Sequence, residues 1–279
     1  MAIRTVRKVI TGKSQYDGAG VKLVRVIGYN DVEDFDPFLM MDAFDSYDSA
    51  DYIKGFPWHP HRGIETVTYL IHGNIEHGDS LGNKDNIVDG GCQWMTAGSG
   101  IIHQEMPQDS ERMLGIQLWL NLPQKDKMTA PRYHDITKAM IPVIQKEEAT
   151  VRVISGDYEG TAGAGKGDHI QMLFLDVTLK AGSKWLLQTG QQANLFIYIV
   201  DGEGCFEEES NVMHSSKRGV LFNHDETFFA RASEKGLRFF LFAGNPLKEP
   251  IAWGGPIVMN TQEELQEAFL QIDNGTFIK

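Results

Sequence analysis

Alternation of apolar and polar positions dominates this chain. Val21 to Ile27 (VKLVRVI) alternates, as does Thr66 to Ile71. Leu114 to Leu122 (LGIQLWLNL) alternates most cleanly, with Leu114, Ile116, Leu118, Leu120 and Leu122 on one face. Val151 to Ile154, Met172 to Leu179, Leu195 to Val200, Thr227 to Ala232 and Leu237 to Ala243 are rich in β-branched and aromatic residues. A period of two in segments of this kind predicts strands. Turn signals punctuate them at Asp17-Gly18, His72-Gly73-Asn74, Asp89-Gly90-Gly91, Asp201-Gly202 and Asn274-Gly275. Many short strands with regular turns predict an all-β sandwich or barrel. One helix is signalled near the end. Thr261-Gln262-Glu263-Glu264 has the Thr-x-x-Glu capping pattern, and Leu265, Phe269 and Ile272 form an apolar stripe behind it.

The 279 residues suit two domains of ordinary size or one large all-β unit. Either buries a sizeable core, so neither disulfide nor metal is needed merely to hold the chain together. Asn121 to Asp135 (NLPQKDKMTAPRYHD) is polar and carries two prolines near the middle of the chain. It is the linker candidate and divides the sequence into 1–130 and 131–279. Gly160 to Gly167 (GTAGAGKG) lacks the Gly-Lys-Ser/Thr ending of a phosphate loop and any apolar helix after it, so it reads as a flexible surface loop. The halves repeat weakly. YLIHGNIEH from Tyr69 resembles IVDGEGCFEE from Ile199, and Gly98 to Glu105 shares its Gly-to-His and His-to-Glu spacings with Gly219 to Glu226.

Lys plus Arg number 26 against 38 Asp plus Glu, a net charge of -12. Phosphate backbones and anionic membranes are held by clustered Lys and Arg, so direct nucleic-acid or membrane-surface binding is not expected. The two cysteines, Cys92 and Cys205, are far apart and read as free, buried thiols of a reducing compartment. The N-terminus has no long apolar stretch with a small-residue cleavage pattern, and no run of 18 apolar residues occurs. A soluble cytoplasmic protein, monomeric, is the expectation.

FPWHPHRGIETVTYL, from Phe56, holds the candidate chemistry. Residues i and i+2 of a strand share a face at roughly 6.5 Å, so His59 and His61 point the same way. Imidazole arms can converge from that spacing on one ion at bonds of about 2.1 Å. His103-Gln104-Glu105 repeats the pattern after a glycine turn. Two such pairs on neighbouring strands gather three imidazoles and a carboxylate. That donor set suits a divalent first-row metal with two octahedral positions left open. Iron(II) is the natural candidate for oxygen chemistry; manganese, cobalt, nickel, copper and zinc suit the same atoms. Glu65 is the rival carboxylate, because an unbroken strand from His59 aims it inward too. Arg62-Gly63 lies between, and a glycine there can bulge the strand and spoil the parity, which favours Glu105 as ligand and leaves Glu65 a supporting role. His72 and His77 flank the Gly73 turn and read as hairpin residues, with His77 also placed to line the mouth of the site. His134, His169 and His214 sit in linker or loop. His224 and Glu226 have no His-x-His partner, since that region reads Gln188 to Asn194, so a second metal is not expected.

These residues carry a resemblance. DGAGVKLVRVIG from Asp17, DPFLMMD from Asp36, FPWHPHRGIETVTYLIHG from Phe56, QWMTAGSGIIHQEMP from Gln93, GIQLWLNLP from Gly115, KDKMTAPRY from Lys125 and GGPIVMNTQEEL from Gly254 are similar to the pirin family, within the bicupin part of the cupin superfamily. Against the generic cupin pattern, the Glu65-to-Gly73 spacing is one residue longer and Gly98 stands where proline is common. Both departures are pirin-like. The resemblance implies two cupin barrels face to face with a short C-terminal helix: a metal-binding barrel in 1–130 and, in 131–279, one without a complete metal site. It implies His59, His61, His103 and Glu105 as metal ligands, in agreement with the strand parity.

The resemblance further implies a choice of roles, quercetin 2,3-dioxygenase or iron-dependent transcriptional coregulator. The leading expectation is a dioxygenase that cleaves a small phenolic substrate, a flavonol, with dioxygen. Glu105 is then the base that takes the 3-hydroxyl proton, and Phe56 and Trp58 either line an aromatic pocket or pack the barrel mouth. The alternatives are a redox-sensing module with a protein partner, weakened as a nuclear role by the lack of a basic import run, and a metal that only stiffens the barrel.

Overall fold

The structure, a computed structural model, describes residues 2–278. Its contacts divide the chain into two β units, each discontinuous in sequence. The first takes Lys13–Val32, Pro37–Lys138 and the chain from Leu247 onward. The second takes the chain up to Gly12, Glu33–Asp36 and Ala139–Pro246. This differs from a cut between 130 and 131. Strand β1 (Val6–Thr11) pairs with Arg218–Phe222 of the second unit, and the C-terminal segment with its helix joins the first. Asn121 to Asp135 is no free linker either: Arg132–Ile136 is a strand on the sheet edge, and Lys127 between is buried.

The first unit is built from β2 (Lys13–Asp17), β3 (Val21–Ile27), β4 (Phe38–Ser46), β5 (Phe56–His61), β6 (Ile64–His72), β7 (Asn74–Asp79), β8 (Lys84–Val88), β9 (Cys92–Thr96), β10 (Ile101–Pro107), β11 (Met113–Asn121) and β12 (Arg132–Ile136). Seven of these form one sheet, in the order β12-β9-β6-β11-β4-β3-β2, and four form another, β5-β10-β7-β8. The inward-facing rows are layered. Leu70, Ile75 and Met113 belong to one apolar cluster, and Ile64, Ile101 and Trp119 to a second. Between them in sequence lie Thr66 and Thr68 on β6, His77 on β7, His103 and Glu105 on β10, and Gln117 on β11, all buried. The alternation of LGIQLWLNL is real, but both its faces are buried, so its cleanest apolar face is not the one that faces the polar layer. Gly115, Gln117 and Trp119 face that layer, because Gln117 reaches Thr68 and Glu105.

Gly63 separates the sheets. Its φ of +76° suits glycine, and a Cβ there would lie 1.9 Å from the Val258 carbonyl oxygen. The chain leaves the four-stranded sheet at His61 and enters the seven-stranded one at Ile64. Polar side chains brace the break. Lys127 Nζ donates to Gly63 O (2.8 Å), Asn121 Oδ1 (2.5 Å) and Val258 O (3.0 Å). Burial pushes this amine down to about 7, yet three acceptors match the three N–H groups of the charged form. The buried Arg62 donates to Ser99 O, Gln271 Oε1 and Phe277 O and lies 4.2 Å from the Phe277 ring centroid. It thereby ties the C-terminal segment to β5. The helix Gln262–Asp273 has the expected cap, with Thr261 Oγ1 accepting from Glu264 N. It buries Leu265 and Ala268, while Phe269 stays half-exposed.

The second unit has an apolar interior. Trp185, Phe206, Phe222, Phe228 and Phe239 pack there among aliphatic residues. The Gly160–Gly167 stretch is pinned rather than free, since Asp157–Tyr158 pairs with Thr161–Ala162 and Gly165 N donates to Ile154 O at 2.7 Å.

Two outcomes follow for stability. Gly63→Ala introduces a left-handed alanine and a backbone collision, and is expected to lower unfolding free energy by about 3 kcal/mol or more. Urea denaturation measures it, and a loss under about 1 kcal/mol is incompatible with this geometry. Arg62→Met removes three buried donors and is expected to cost about 2–4 kcal/mol. Limited proteolysis is then expected to cut the segment after Leu247 first.

Candidate metal centre

Strand pairing brings the two ligand-type pairs together. β5 and β10 run antiparallel, with His103 directly opposite His59 and Ile101 opposite His61. A register shift between His103 and Glu105 sets Glu105 opposite Phe56. Ring centroids of His59 and His61 lie 4.8 Å apart, of His59 and His103 4.4 Å, and of His61 and His103 5.0 Å. One ring nitrogen from each of the three converges within 4.8 Å of the others, and among the described residues this is the convergent His/Cys/Asp/Glu group.

The far nitrogens explain why the near ones are ready. His59 Nδ1 lies 2.8 Å from Pro57 O and His61 Nδ1 lies 3.1 Å from Pro256 O. A carbonyl only accepts, so each Nδ1 carries the proton and each Nε2 presents a lone pair. His103 Nδ1 lies 3.2 Å from His77 Nε2, and His103 Nε2 is buried without a hydrogen-bond partner. Burial, and secondarily the proximity of His59, pushes His61 down to about 3. Burial and then the other histidines hold His103 well below the usual imidazole range. Both rings are neutral at neutral pH, which is the form that binds a cation. An unpartnered buried nitrogen among three convergent imidazoles fits a divalent first-row metal.

Glu105 stands beside this group rather than in it. Gln117 Nε2 donates to both its carboxylate oxygens, at 2.9 and 2.7 Å, and Thr68 Oγ1 donates at 3.2 Å. Glu65 is three residues from Thr68 on the same strand and therefore on the opposite face. Its carboxylate accepts from Thr96 Oγ1 at 2.8 Å, so it supports the sheet away from the histidines.

A cavity of about 400 Å³ opens beside His59 and His61. Tyr29, Met40, Phe56, Trp119, Trp253 and Pro256 give it apolar walls, and Asp17, Arg25, Asp42 and Gln117 a polar one. Arg25 holds that wall by a two-pronged pair with Asp42 (2.9 and 2.8 Å) and a contact to Asp17 at 2.8 Å. Phe56 thus lines the cavity, one of the two placements the sequence left open. Trp58 does not; it is 55% exposed and alternates with His59 onto the outer face. A slightly larger depression of about 480 Å³ near Tyr47, His72 and Arg112 lies on other residues and gathers no comparable donor set.

Several contributors were not singled out from the sequence. Gln117 and Thr68 stand in apolar or β-branched runs, and Pro256 belongs to a segment nearly two hundred positions from His61. Gln117 had one signal, as the polar residue in the middle of LGIQLWLNL. His134 pairs opposite Trp94 on β12, His72 meets Asp89 at the surface, His214 stacks on Phe206, and His224 Nε2 bonds Asn194 Oδ1.

Comparison with known proteins agrees with this layout. The Pirin family profile matches residues 20–120, and that of the Pirin C-terminal cupin domain matches residues 174–278. A pirin-like protein of Caulobacter vibrioides is 42% identical over 280 residues, covering 99% of this chain and 100% of that one. The crystal structure of a quercetin 2,3-dioxygenase from Acinetobacter baumannii superposes with a TM-score of 0.90 at 29% identity, over 99% of both chains. A bacterial pirin from Escherichia coli, solved in complex with nickel(II), shares the fold at a TM-score of 0.66 and 21% identity, over 86% of this chain and 99% of that one. With two cupin-type β units and a match along nearly its whole length, this chain belongs to the pirin family.

Proposed function

We propose that this protein is a metal-dependent dioxygenase that cleaves flavonols such as quercetin with dioxygen. The observation that carries the reading is the convergence of three imidazoles beside an aromatic-walled cavity. The likeness to a quercetin 2,3-dioxygenase supports the substrate class. His59, His61 and His103 are the convergent residues to hold one divalent metal, with Glu105 beside them as the fourth ligand; iron(II) comes first, with manganese, cobalt, nickel, copper and zinc as alternatives. When bound, the metal supplies Lewis acidity at the substrate oxygen and a template for dioxygen chemistry.

The chain's own groups do the rest. Glu105 accepts the proton of the flavonol 3-hydroxyl on a carboxylate oxygen. Gln117 and Thr68 keep that carboxylate in one orientation, which lowers the reorganisation needed for the transfer. Phe56, Trp119 and Trp253 offer apolar faces to a planar ring system and exclude water from it. The cavity's volume of about 400 Å³ falls within the usual range for small-molecule sites, about 300–1,000 Å³.

Loading the protein with each divalent metal in turn and following quercetin loss with oxygen uptake is the direct test. Turnover above that of the free metal is expected with at least one of them. None with any metal overturns the enzyme reading and moves the redox-responsive, partner-binding role to the front. Glu105→Gln is expected to lower kcat by about 10²–10⁴-fold. Metal content read on the same sample separates the roles. Metal retained with turnover lost identifies the base, and metal lost with it identifies the ligand.

A further inference from the structure

The centre leaves one buried titratable group without a task. His77 comes from β7, paired in register opposite Glu105, and is 1% exposed. Its Nε2 lies 3.2 Å from His103 Nδ1, and its Nδ1 is buried without a hydrogen-bond partner. Tyr133 of β12 stacks on the ring at 4.6 Å and 18°. Tyr133 is itself fixed, its hydroxyl donating to Asp135 Oδ1 at 2.5 Å and accepting from Gln93 Nε2 at 2.9 Å. The His77 ring is therefore oriented by packing rather than by a second hydrogen bond.

A single proton lies between the two rings, and its position decides what His103 can do. If His77 Nε2–H donates, neutral His103 carries its proton on Nε2, and the nitrogen facing His59 and His61 is blocked. If His103 Nδ1–H donates, Nε2 is a free lone pair, and His77 carries its own proton on the unpartnered Nδ1. The second arrangement matches His59 and His61, whose Nδ1 protons are fixed by carbonyls. His103 alone lacks a carbonyl there. Either arrangement leaves one buried N–H without a partner, on His103 Nε2 in the first and on His77 Nδ1 in the second, at about 1–3 kcal/mol, so a further interaction must favour the second. A cation on Nε2 does so.

We infer that His77 is a positioning residue: it accepts the Nδ1 proton of His103, fixing the tautomer and ring orientation in which His103 binds a divalent cation. This rests on the metal reading of the centre and not on a flavonol as substrate. A partner that orients a ligating histidine in this way changes metal affinity by about 10–100-fold when removed.

The test compares the unaltered chain with His77→Phe, which keeps a ring to stack on Tyr133 and removes the acceptor, and with His77→Gln, whose side-chain carbonyl restores one. Nickel(II) is titrated by calorimetry with a competing chelator. Nitrogen-15 NMR of the zinc-loaded proteins reads the His103 tautomer, which a merely structural residue would not move. Expected are about 10–100-fold weaker nickel binding in H77F at an unchanged melting temperature, loss of the fixed Nδ1–H signature, and recovery of most of both in H77Q. Equal nickel affinity in H77F and the unaltered chain overturns the inference, as does an Nδ1 without a proton in zinc-loaded His103. Should H77F not fold, failure of H77Q to retain the signature overturns it. An unaltered chain that binds no nickel overturns it together with the metal reading. A chain that binds nickel as expected but turns over no flavonol overturns only the dioxygenase reading.

Discussion

The structure turns on a polar layer carried through the middle of a β barrel, where every donor and acceptor must find a partner. The register makes the layer explicit. Asp135, Gln93, Thr68, Gln117, Asp42 and Arg25 stand opposite one another in turn across six adjacent strands of the seven-stranded sheet. On the four-stranded sheet, His59, His103 and Asp79 form the matching row. An unpartnered buried polar group costs about 1–3 kcal/mol, so a layer of this kind persists only if nearly all its members are paired. Here the pairing is specific. Carbonyls take two histidine protons, Gln117 and Thr68 hold Glu105, and Arg25 neutralises Asp42. Asp42 is nonetheless pushed up from the ordinary carboxylate range, since burial outweighs its arginine partner. Two buried imidazole nitrogens are left over, His77 Nδ1 and His103 Nε2, and the second converges with His59 and His61 in the group that could hold a metal ion.

The break at Gly63 makes this layer possible. Without it, β5 and β6 would form one long strand, and Glu65 would share a face with His59 and His61. The left-handed glycine sends the chain into the other sheet and turns Glu65 away, while β10 brings Glu105 to the histidines. Arg62 and Lys127 hold the turn with six hydrogen bonds to the segments around it. Three of these acceptors, Val258 O, Gln271 Oε1 and Phe277 O, lie in the C-terminal segment, as does Pro256 O on His61. That segment therefore belongs to the site as much as to the fold.

How much of this was legible in the sequence follows from the range of each interaction. The His-x-His and His-x-Glu pairs were legible because strand parity is local, and parity alone predicts shared faces. The strands and the capped helix were legible for the same reason. The turning of Glu65 away from the histidines was half legible: Gly63 flagged a break, but only the sheet assignment shows its direction. His77 read as a hairpin residue because its partner lies 26 positions away on a strand whose register the sequence does not state. Pro256 and the return of the C-terminal segment were not legible, since the contacts that fix them span most of the chain. The alternation in LGIQLWLNL marks a strand but leaves open which face is the inner one. When both faces of a strand are buried, apolar character no longer identifies the inner one.

The two units show what such a layer displaces. Each is a β unit with a buried interior, yet the second fills its core with Trp185, Phe206, Phe222, Phe228 and Phe239 in mutual contact. Burying side chains of that size contributes about 1.5–3 kcal/mol each relative to exposure and leaves nothing to satisfy. The first unit gives up part of that contribution to keep imidazoles, an amide and carboxylates inside. A core of this composition specifies its own geometry tightly, because any shift in a strand strands a donor or an acceptor. The same constraint holds the site: His61 and His103 are buried, and the aromatic-walled cavity opens beside His59 and His61. Under the proposed function, a nitrogen-rich centre beside a cavity with aromatic walls suits planar ligands that bring an ionisable oxygen to the centre and leave their rings against those walls.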